Sequence, residues 1–527
     1  MQQTETRGYR QRWIALAFLA VSLLIISLDN TVLNVALPSI ANDLGASASG
    51  LQWIVDAYVL VFASLLLTMG SISDRLGRKK ILQAGLILFG IGSLLAALST
   101  STEMLTACRA FMGIGAASIM PSTLSILTAT FRDPSERAKA IAIWAGVFGL
   151  GMGIGPVVAG ALLEHFSWHS VFFINLPVVA IGLIGGYLYI ENSRDEKASS
   201  PDIPGVFLSI GGLFALVYGI IKAGEEASWT AGPVLWSLGT AAALLAMFAW
   251  WERRTPNPML PMSFFKNMSF TGANIALTLV MFSMFGSMFF MSQYFQSVQD
   301  CTPLQAGLRV LPVAPISMGM AINSARLAKR IGTKLTVSLG IFLAACGMFY
   351  LSRMSHVDTD YWIVLIGIAI MAAGMGTAMS PATNSIMGSV PVRKAGVGSA
   401  MNDTNRQVGG ALGVAILGTV MNTTYLNTVD KLGNSAVSNL PDPLFHAIRS
   451  SIQGAHIAAQ HIPDPALAQR VIDLSNKGFV SGMNDAMLVA SLIMFIASLA
   501  TLIILPSQVR PAEESGSKKP PEGQAGH

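Results

Sequence analysis

Charge-poor apolar stretches, each long enough to cross a bilayer, recur from one end of this chain to the other. A membrane-spanning helix takes about 20 such residues. Helices are predicted at 13–37, 52–70, 81–99, 104–128, 139–163, 170–190, 203–222, 231–251, 268–296, 304–325, 335–352, 361–388, 395–423 and 484–506. The runs are continuous and lack the apolar–polar alternation of strands, so a transmembrane β-barrel is a poor fit. Only 12% of the residues are charged, against about 25% in a soluble protein. A soluble enzyme with a polar shell is therefore excluded. With 52% hydrophobic residues, most of the chain is not disordered either. The expectation is an all-α integral membrane protein with fourteen spans.

The net charge of +5 and the pI near 9.1 point to nucleic acid only if the basic residues share a soluble face. They do not. With the N-terminus inside, 24 of the 33 Lys and Arg fall in inside segments and 5 fall outside. The other 4 lie within spans: Arg109, Lys222, Arg309 and Arg406. By the positive-inside rule both termini are cytoplasmic, and the basic loops face anionic lipid. The first helix outruns a signal-peptide core and shows no clear small-residue cleavage site. Cys108, Cys301 and Cys346 are too scattered for a disulfide framework or a zinc site. The outside segment 424–480 contains Asp442-Pro443 and Asp464-Pro465, each an N-cap followed by Pro at the first helical position. Two short surface helices are predicted there. The polar, Pro- and Gly-rich stretch 507–527 reads as a disordered cytoplasmic tail.

The chain also repeats itself. Gly70-Ser-Ile-Ser-Asp74-Arg75-Leu-Gly77-Arg78-Lys79 closes the second predicted helix. Ala325-Arg-Leu-Ala-Lys329-Arg330-Ile-Gly332-Thr-Lys334 closes the tenth, 255 residues later, with Lys329 where Asp74 stands. Repeats of hydropathy and loop motif are how transporter halves show themselves. That spacing fits six helices plus two, and the natural insertion is the pair at 203–251. The predicted organisation is a six-helix bundle at 1–190, the inserted pair, and a second six-helix bundle at 268–506 with a long outside loop.

These residues resemble the major facilitator superfamily, and within it the fourteen-helix drug:proton antiporters of the QacA type. Gly70–Lys80 is similar to the superfamily's loop between helices 2 and 3. Gly151-Met-Gly153-Ile-Gly155-Pro156-Val-Val-Ala159-Gly160 is similar to the antiporter motif, with Ala159 in place of a usual Gly. Leu28-Asp29-Asn30-Thr31-Val-Leu-Asn34 and the residues to Pro38 are similar to the drug-antiporter signature, and Arg109 matches the helix 4 motif. The resemblance implies the major facilitator fold and a monomer in a bacterial inner membrane. It also implies export of amphipathic, cationic drugs in exchange for protons by alternating access. An exporter of an endogenous metabolite, lipid or siderophore is the alternative within transporters. A channel or multispan receptor fits the two-half repeat less well.

The residues carry their own reading. Asp74 with Gly70, Arg75, Gly77 and Arg78 forms either a conformational latch or a topological anchor, with Asp74 able to accept from a helix N-terminus or pair with an Arg. Gly151, Gly155 and Ala159 fall four apart, a spacing that lets two helices approach closely, and Pro156 bends the helix. Gly160 extends the motif. Charges within spans are costly and mark function. Asp29, Arg109 and Asp56 are placed in one layer of the outer half. Asp29 and Arg109 are either proton-handling groups or a static ion pair, and Asp56 is a candidate for meeting a cationic substrate. In 402–407, Asp403 is a second protonation candidate with Arg406 as its regulator, or the two simply pair on one helix face. Met281, Met284, Met288 and Met291 form a stripe beside Phe285 and Phe289. Met284 and Met288 are candidates to line a substrate site, and ordinary packing is the other reading. No Gly-Lys-Ser/Thr loop or clustered metal ligand occurs. The expected drive is a proton gradient, with no ATP, metal or other cofactor.

Overall fold

The computed structural model describes residues 11–46, 48–194, 202–226, 228–433 and 441–508. Every regular element among them is helical, as a backbone in hydrocarbon requires to satisfy its own hydrogen bonds. The first set comprises α1 (Arg12–Leu44), α2 (Ala48–Leu76), α3 (Arg78–Ala97), α4 (Thr102–Thr130), α5 (Pro134–His165) and α6 (Ser170–Tyr189). α6 breaks at Ile174, because Pro177 has no N–H to give the carbonyl of Phe173 four residues back. The pair α7 (Ile203–Glu225) and α8 (Gly232–Arg254) follows. The second set is α9 (Met268–Gln293), α10 (Pro303–Val310), α11 (Val313–Ile331), α12 (Thr333–Met354), α13 (Tyr361–Gly388), α14 (Ala395–Gly433), α15 (Asp442–Ser450), α16 (Ile452–Gln460) and α17 (Pro465–Ile504).

In the first set α1 packs on α5 and α6, and α4 fits between α2 and α3. In the second, α12 packs on α13 and α17, and α14 on α9 and α17. The two sets meet where α5 crosses α11 and α13, and where α14 crosses α2 and α4. α7 lies against α2 and α14, with α8 outside it. Only 17% of the most apolar stretch of α8 is buried. Trp236 and Ile503 are likewise bare on the outside. So much contiguous apolar surface suits lipid and not water.

Among the described residues thirteen helices are long and apolar enough to cross a membrane. The remaining predicted span, 304–325, is divided into α10 and α11 at Leu311-Pro312. Pro312 removes a backbone donor, and Asn323, Arg326, Lys329 and Arg330 make the far end of α11 polar. The outside segment also differs from the expectation. A short helix begins at Asp442, but the second short one is α16, capped by Ser451, whose Oγ accepts from Gly454 N at 3.0 Å. Asp464 instead caps α17, a helix of 40 residues that continues into the last span. No Pro or charge run interrupts 466–483, and the buried Val471, Phe479 and Met483 keep one face in the core. α14 likewise runs past 423 and meets α17, where Thr424 Oγ1 donates to Asp485 Oδ2 at 2.9 Å. Residues 434–440 and the predicted tail from 509 onward lie outside the described residues.

The internal repeat is visible in the backbone. Gly77 and Gly332, 255 apart, both have positive φ, 113° and 87°, which side chains rarely tolerate. The residue after each donates to a carbonyl beyond the last helix of its set. Arg78 N reaches Ser193 O at 2.9 Å, and Thr333 N reaches Ser507 O at 2.9 Å.

Candidate functional site

Four groups of side chains tie the helices together where the sequence places its unusual residues. The first is a buried ion pair. Asp29 Oδ2 on α1 meets Arg109 Nη1 on α4 at 2.5 Å, and the two residues are 5% and 1% exposed. Arg109 Nε also donates to Ile54 O on α2 at 3.3 Å, and its guanidinium lies 4.2 Å from the centre of the Tyr58 ring. Asn175 Nδ2 on α6 reaches Asp29 Oδ1 at 3.4 Å and Ser93 Oγ on α3 at 3.0 Å. Five helices thus converge on one carboxylate–guanidinium contact. The predicted layer holds for Asp29 and Arg109. Asp56 stands half-buried two residues beyond Ile54 on α2. No sequence pattern marks Tyr58, Ser93 or Asn175, which gain a role only when the helices pack.

The second group joins the two sets at the end of the bundle bearing the basic loops. Asp74 Oδ1 accepts from Arg78 Nη2 at 2.7 Å and from Gly396 N at 2.9 Å, and Oδ2 from Val397 N at 3.2 Å. Both partner amides open α14, so the carboxylate caps that helix and meets the positive end of its dipole. Arg78 Nη2 returns to Val392 O at 2.6 Å. Gly70 allows the approach, since a Cβ there would stand 2.5 Å from Ala400 Cβ and from Gly396 O. Arg75 is half-buried beside this contact. In the repeat copy Lys329 Nζ on α11 meets Ser135 Oγ at the start of α5, at 2.5 Å. The two seams are therefore related by position and opposite in charge. Beside the Lys329 seam lies an open cavity of about 310 Å³, lined by Ser135, Ala138, Lys329, Ser380 and Asn384 among others.

The third group is the glycine motif of α5. A Cβ on Gly151 would lie 2.7 Å from Ser27 Cβ, and one on Gly155 would lie 2.9 Å from Thr31 Cβ, both on α1. Ser27 Oγ donates to Phe148 O at 2.7 Å across the same contact. Ala159 is fully buried. Gly153 and Gly160 serve a different neighbour: a Cβ would meet Ala314 Cβ at 2.7 Å and Leu304 Cα at 2.8 Å. A Cβ on Gly307 would in turn lie 3.0 Å from the carbonyl carbon of Pro156. The motif is thus clasped between α1 on one side and the broken pair α10–α11 on the other. Gly151→Ala should lower the thermal midpoint of the purified protein, since overpacking costs about 1–3 kcal/mol. Thermal unfolding in detergent reads this, and an unchanged midpoint would show that α1 yields freely.

The fourth group lies on α14. Asn402 Oδ1 accepts from Thr383 Oγ1 at 3.1 Å, and Asn402 Nδ2 donates to Asp403 Oδ1 at 3.0 Å. Asn405 Nδ2 bonds Asn274 Oδ1 on α9. The anticipated pairing of Asp403 with Arg406 does not form. The Arg406 guanidinium lies instead over the rings of Trp144 and Phe148 on α5, at 5.0 Å and 4.2 Å. Two aromatic faces draw a cation away from a carboxylate only three residues off.

The methionine stripe is not uniform. Met281 and Met291 are sealed in the core, and Met284 and Met288 are half-buried. Only the latter pair has any surface to offer. Arg309 donates to Gln299 Oε1 at 2.5 Å and sits between Phe295 and Tyr361. Gln299 lies just past a π-turn at Tyr294–Val298 that continues α9, which sequence periodicity does not reveal. Lys222 lies 6.0 Å from the Trp53 ring. Among the described residues no cluster of His, Cys, Asp or Glu is placed to hold a metal ion.

The chain matches the Major Facilitator Superfamily over residues 19–414. It is 35% identical over 493 residues to the multidrug efflux pump LfrA of Mycolicibacterium smegmatis, covering 94% of this chain and 96% of the pump. It is 31% identical over 476 residues to the methyl viologen resistance protein SmvA of Salmonella typhimurium, covering 89% and 93%. Among solved structures it resembles the human organic anion transporter MFSD10, with a TM-score of 0.60 at 13% identity, covering 95% of this chain and all of that one. The last is a likeness of fold alone. With thirteen apolar helices among the described residues, a two-fold repeated loop and a sequence match over most of its length, the chain belongs to the major facilitator superfamily.

Proposed function

We propose that this protein exports amphipathic, cationic compounds across a bacterial inner membrane in exchange for protons. It does so as a monomer of fourteen spans, with both termini cytoplasmic and no use of ATP. The observation that carries this reading is the buried Asp29–Arg109 pair on which five helices converge. A proton on Asp29 removes the charge that ties α1 to α4, while Arg109 keeps Ile54 O and the Tyr58 ring. One proton thus loosens one helix from its bundle, which is the kind of event alternating access needs. The Asp74 contact closes the cytoplasmic end in the conformation described, and the α5 glycines let α1 and α10–α11 slide at close quarters. Relatives named for multidrug efflux and for resistance to methyl viologen, a dication, support the substrate class.

The test is transport in proteoliposomes. A lipophilic cation should accumulate when an artificial pH gradient is imposed, and not when ATP is added to gradient-free vesicles. Accumulation that needs ATP, or none under either condition, refutes the proposal. Asp56 provides a finer one. Desolvating a cation without a carboxylate is costly, so Asp56→Asn should cut resistance to a divalent cation by about tenfold, given ~1.5–3 kcal/mol for a hydrogen bond to a charged group. A neutral drug should be affected least. Equal losses for monovalent, divalent and neutral compounds would assign Asp56 to the proton path or to folding.

A further inference from the structure

Arg406 is a buried charge without a counter-ion bond among the described residues. It is 1% exposed, and neither Nε nor Nη1 has a hydrogen-bond partner among the described residues. Nη2 reaches only Met379 Sδ, at 3.4 Å. What holds the guanidinium is the aromatic pair Trp144 and Phe148, which belongs to the opposite set of helices. Trp144 is fixed in place by its Nε1 bond to Thr123 Oγ1 at 3.1 Å. One turn before Arg406, Asp403 is fully buried with Oδ2 unpartnered. Residues three apart share a helix face, so a rotamer change brings the guanidinium to that carboxylate.

Other charges near α14 are engaged or distant. Asp74 is taken by Arg78 and the α14 amides, Arg109 by Asp29, Lys222 by the Trp53 ring and Asp485 by Thr424. Asp56 and Glu103 lie in the outer parts of α2 and α4, and Arg470, Asp473 and Lys477 in the outer extension of α17. On α5, Arg137 and Lys139 precede Trp144 by two and one turns, with Lys139 over Trp13, and Glu164 and His165 end the helix. α9 and α13 carry no charged residue.

We infer that Trp144 and Phe148 form the receptor for the substrate's cationic group, that Arg406 is a resident cation holding this place, and that Asp403 receives Arg406 when substrate displaces it. While Arg406 lies on the rings, the buried Asp403 has no ion partner and holds the proton that the exchange releases. When a monovalent cation takes the rings, Arg406 swings to Asp403, which releases its proton to water. The site carries one positive charge on Arg406 and a neutral Asp403 beforehand. Afterwards it holds the substrate cation and a neutral Asp403–Arg406 pair. One cation enters as one proton leaves. This rests on the reading of the protein as a cation:proton exchanger and adds to the Asp29 step a receptor for the cation and a second proton-releasing carboxyl.

The experiment uses the purified full-length protein in detergent with tetraphenylphosphonium as probe, measuring affinity across pH by equilibrium dialysis. Arg406→Gln should bind the probe about tenfold tighter, because the competitor is gone, whereas Arg406→Lys should stay near wild type. Trp144→Leu should weaken binding about tenfold and Trp144→Phe should restore most of it. In Asp403→Asn the slope of log affinity against pH should fall by about one unit, by linkage. Unchanged or weaker binding in Arg406→Gln overturns the inference, as does an unchanged slope in Asp403→Asn, or Trp144→Phe as poor as Trp144→Leu. A wild-type protein that concentrates the probe under a pH gradient while giving any of these results leaves the exchanger reading standing and removes this one. A wild-type protein that neither binds nor transports the probe removes both.

Discussion

Asp29→Asn should reach the membrane at normal levels and lose uphill, pH-driven export by at least ~100-fold. The substitution keeps the shape of the side chain and removes the charge that Arg109 meets at 2.5 Å. Leaving a buried guanidinium without its counter-ion costs about 3–5 kcal/mol, and that cost falls on the conformation in which α1 and α4 are joined. The variant is fixed in the equivalent of the protonated state and cannot cycle. Counterflow of substrate down its own gradient requires no proton step and should survive. Proteoliposome uptake under an imposed pH gradient, alongside counterflow in the same vesicles, separates the two. Full pH-driven transport by Asp29→Asn would remove this carboxylate from the coupling path.

Asp74→Ala should open the cytoplasmic end and slow turnover, with substrate affinity near wild type. It deletes the acceptor of the Gly396 and Val397 amides and strands Arg78, which is 2% exposed. By the same range of about 3–5 kcal/mol for a broken buried pair, the closed conformation loses most of its advantage. A cysteine at Ala328, on the cavity beside the other seam, reports the change through its rate of thiol labelling. The background is low, since Cys108 and Cys301 are buried and Cys346 half-buried. Labelling should rise about tenfold or more in Asp74→Ala and less in Asp74→Asn, which keeps an oxygen for the amides. Unchanged labelling with unchanged turnover would reduce Asp74 to an anchor.

The helices were legible because each bilayer crossing writes itself as a continuous apolar run. The two that misled did so for local reasons. Pro312 splits one run into α10 and α11, and Asp464 opens a helix that does not stop where a surface helix would. Asp29, Arg109 and Asp74 stood out because charge within or beside apolar sequence is costly and therefore rare. Their partners were not legible. Tyr58 and Ser93 are unexceptional in a span, Asn175 lies near the end of one, and only packing turns them toward the pair. Arg406 shows the limit from the other side. Asp403 three residues away was the partner sequence suggested, whereas Trp144 and Phe148 lie on a helix some 260 residues earlier and become its neighbours only when the two sets close on each other.

The two seams at the basic end began as copies and are now unequal. One holds a carboxylate, a guanidinium and two helix-end amides in a buried cluster. The other has a lysine against a serine hydroxyl, exposed beside an open cavity. A single exposed hydrogen bond of the second kind exchanges readily with water and contributes at most ~1.5 kcal/mol. A body fastened strongly along one edge and weakly along the other does not part evenly. The Lys329 edge should part first and the Asp74 edge last, so whatever enters from the basic end should meet α5, α11 and α13 before it meets α2 and α14.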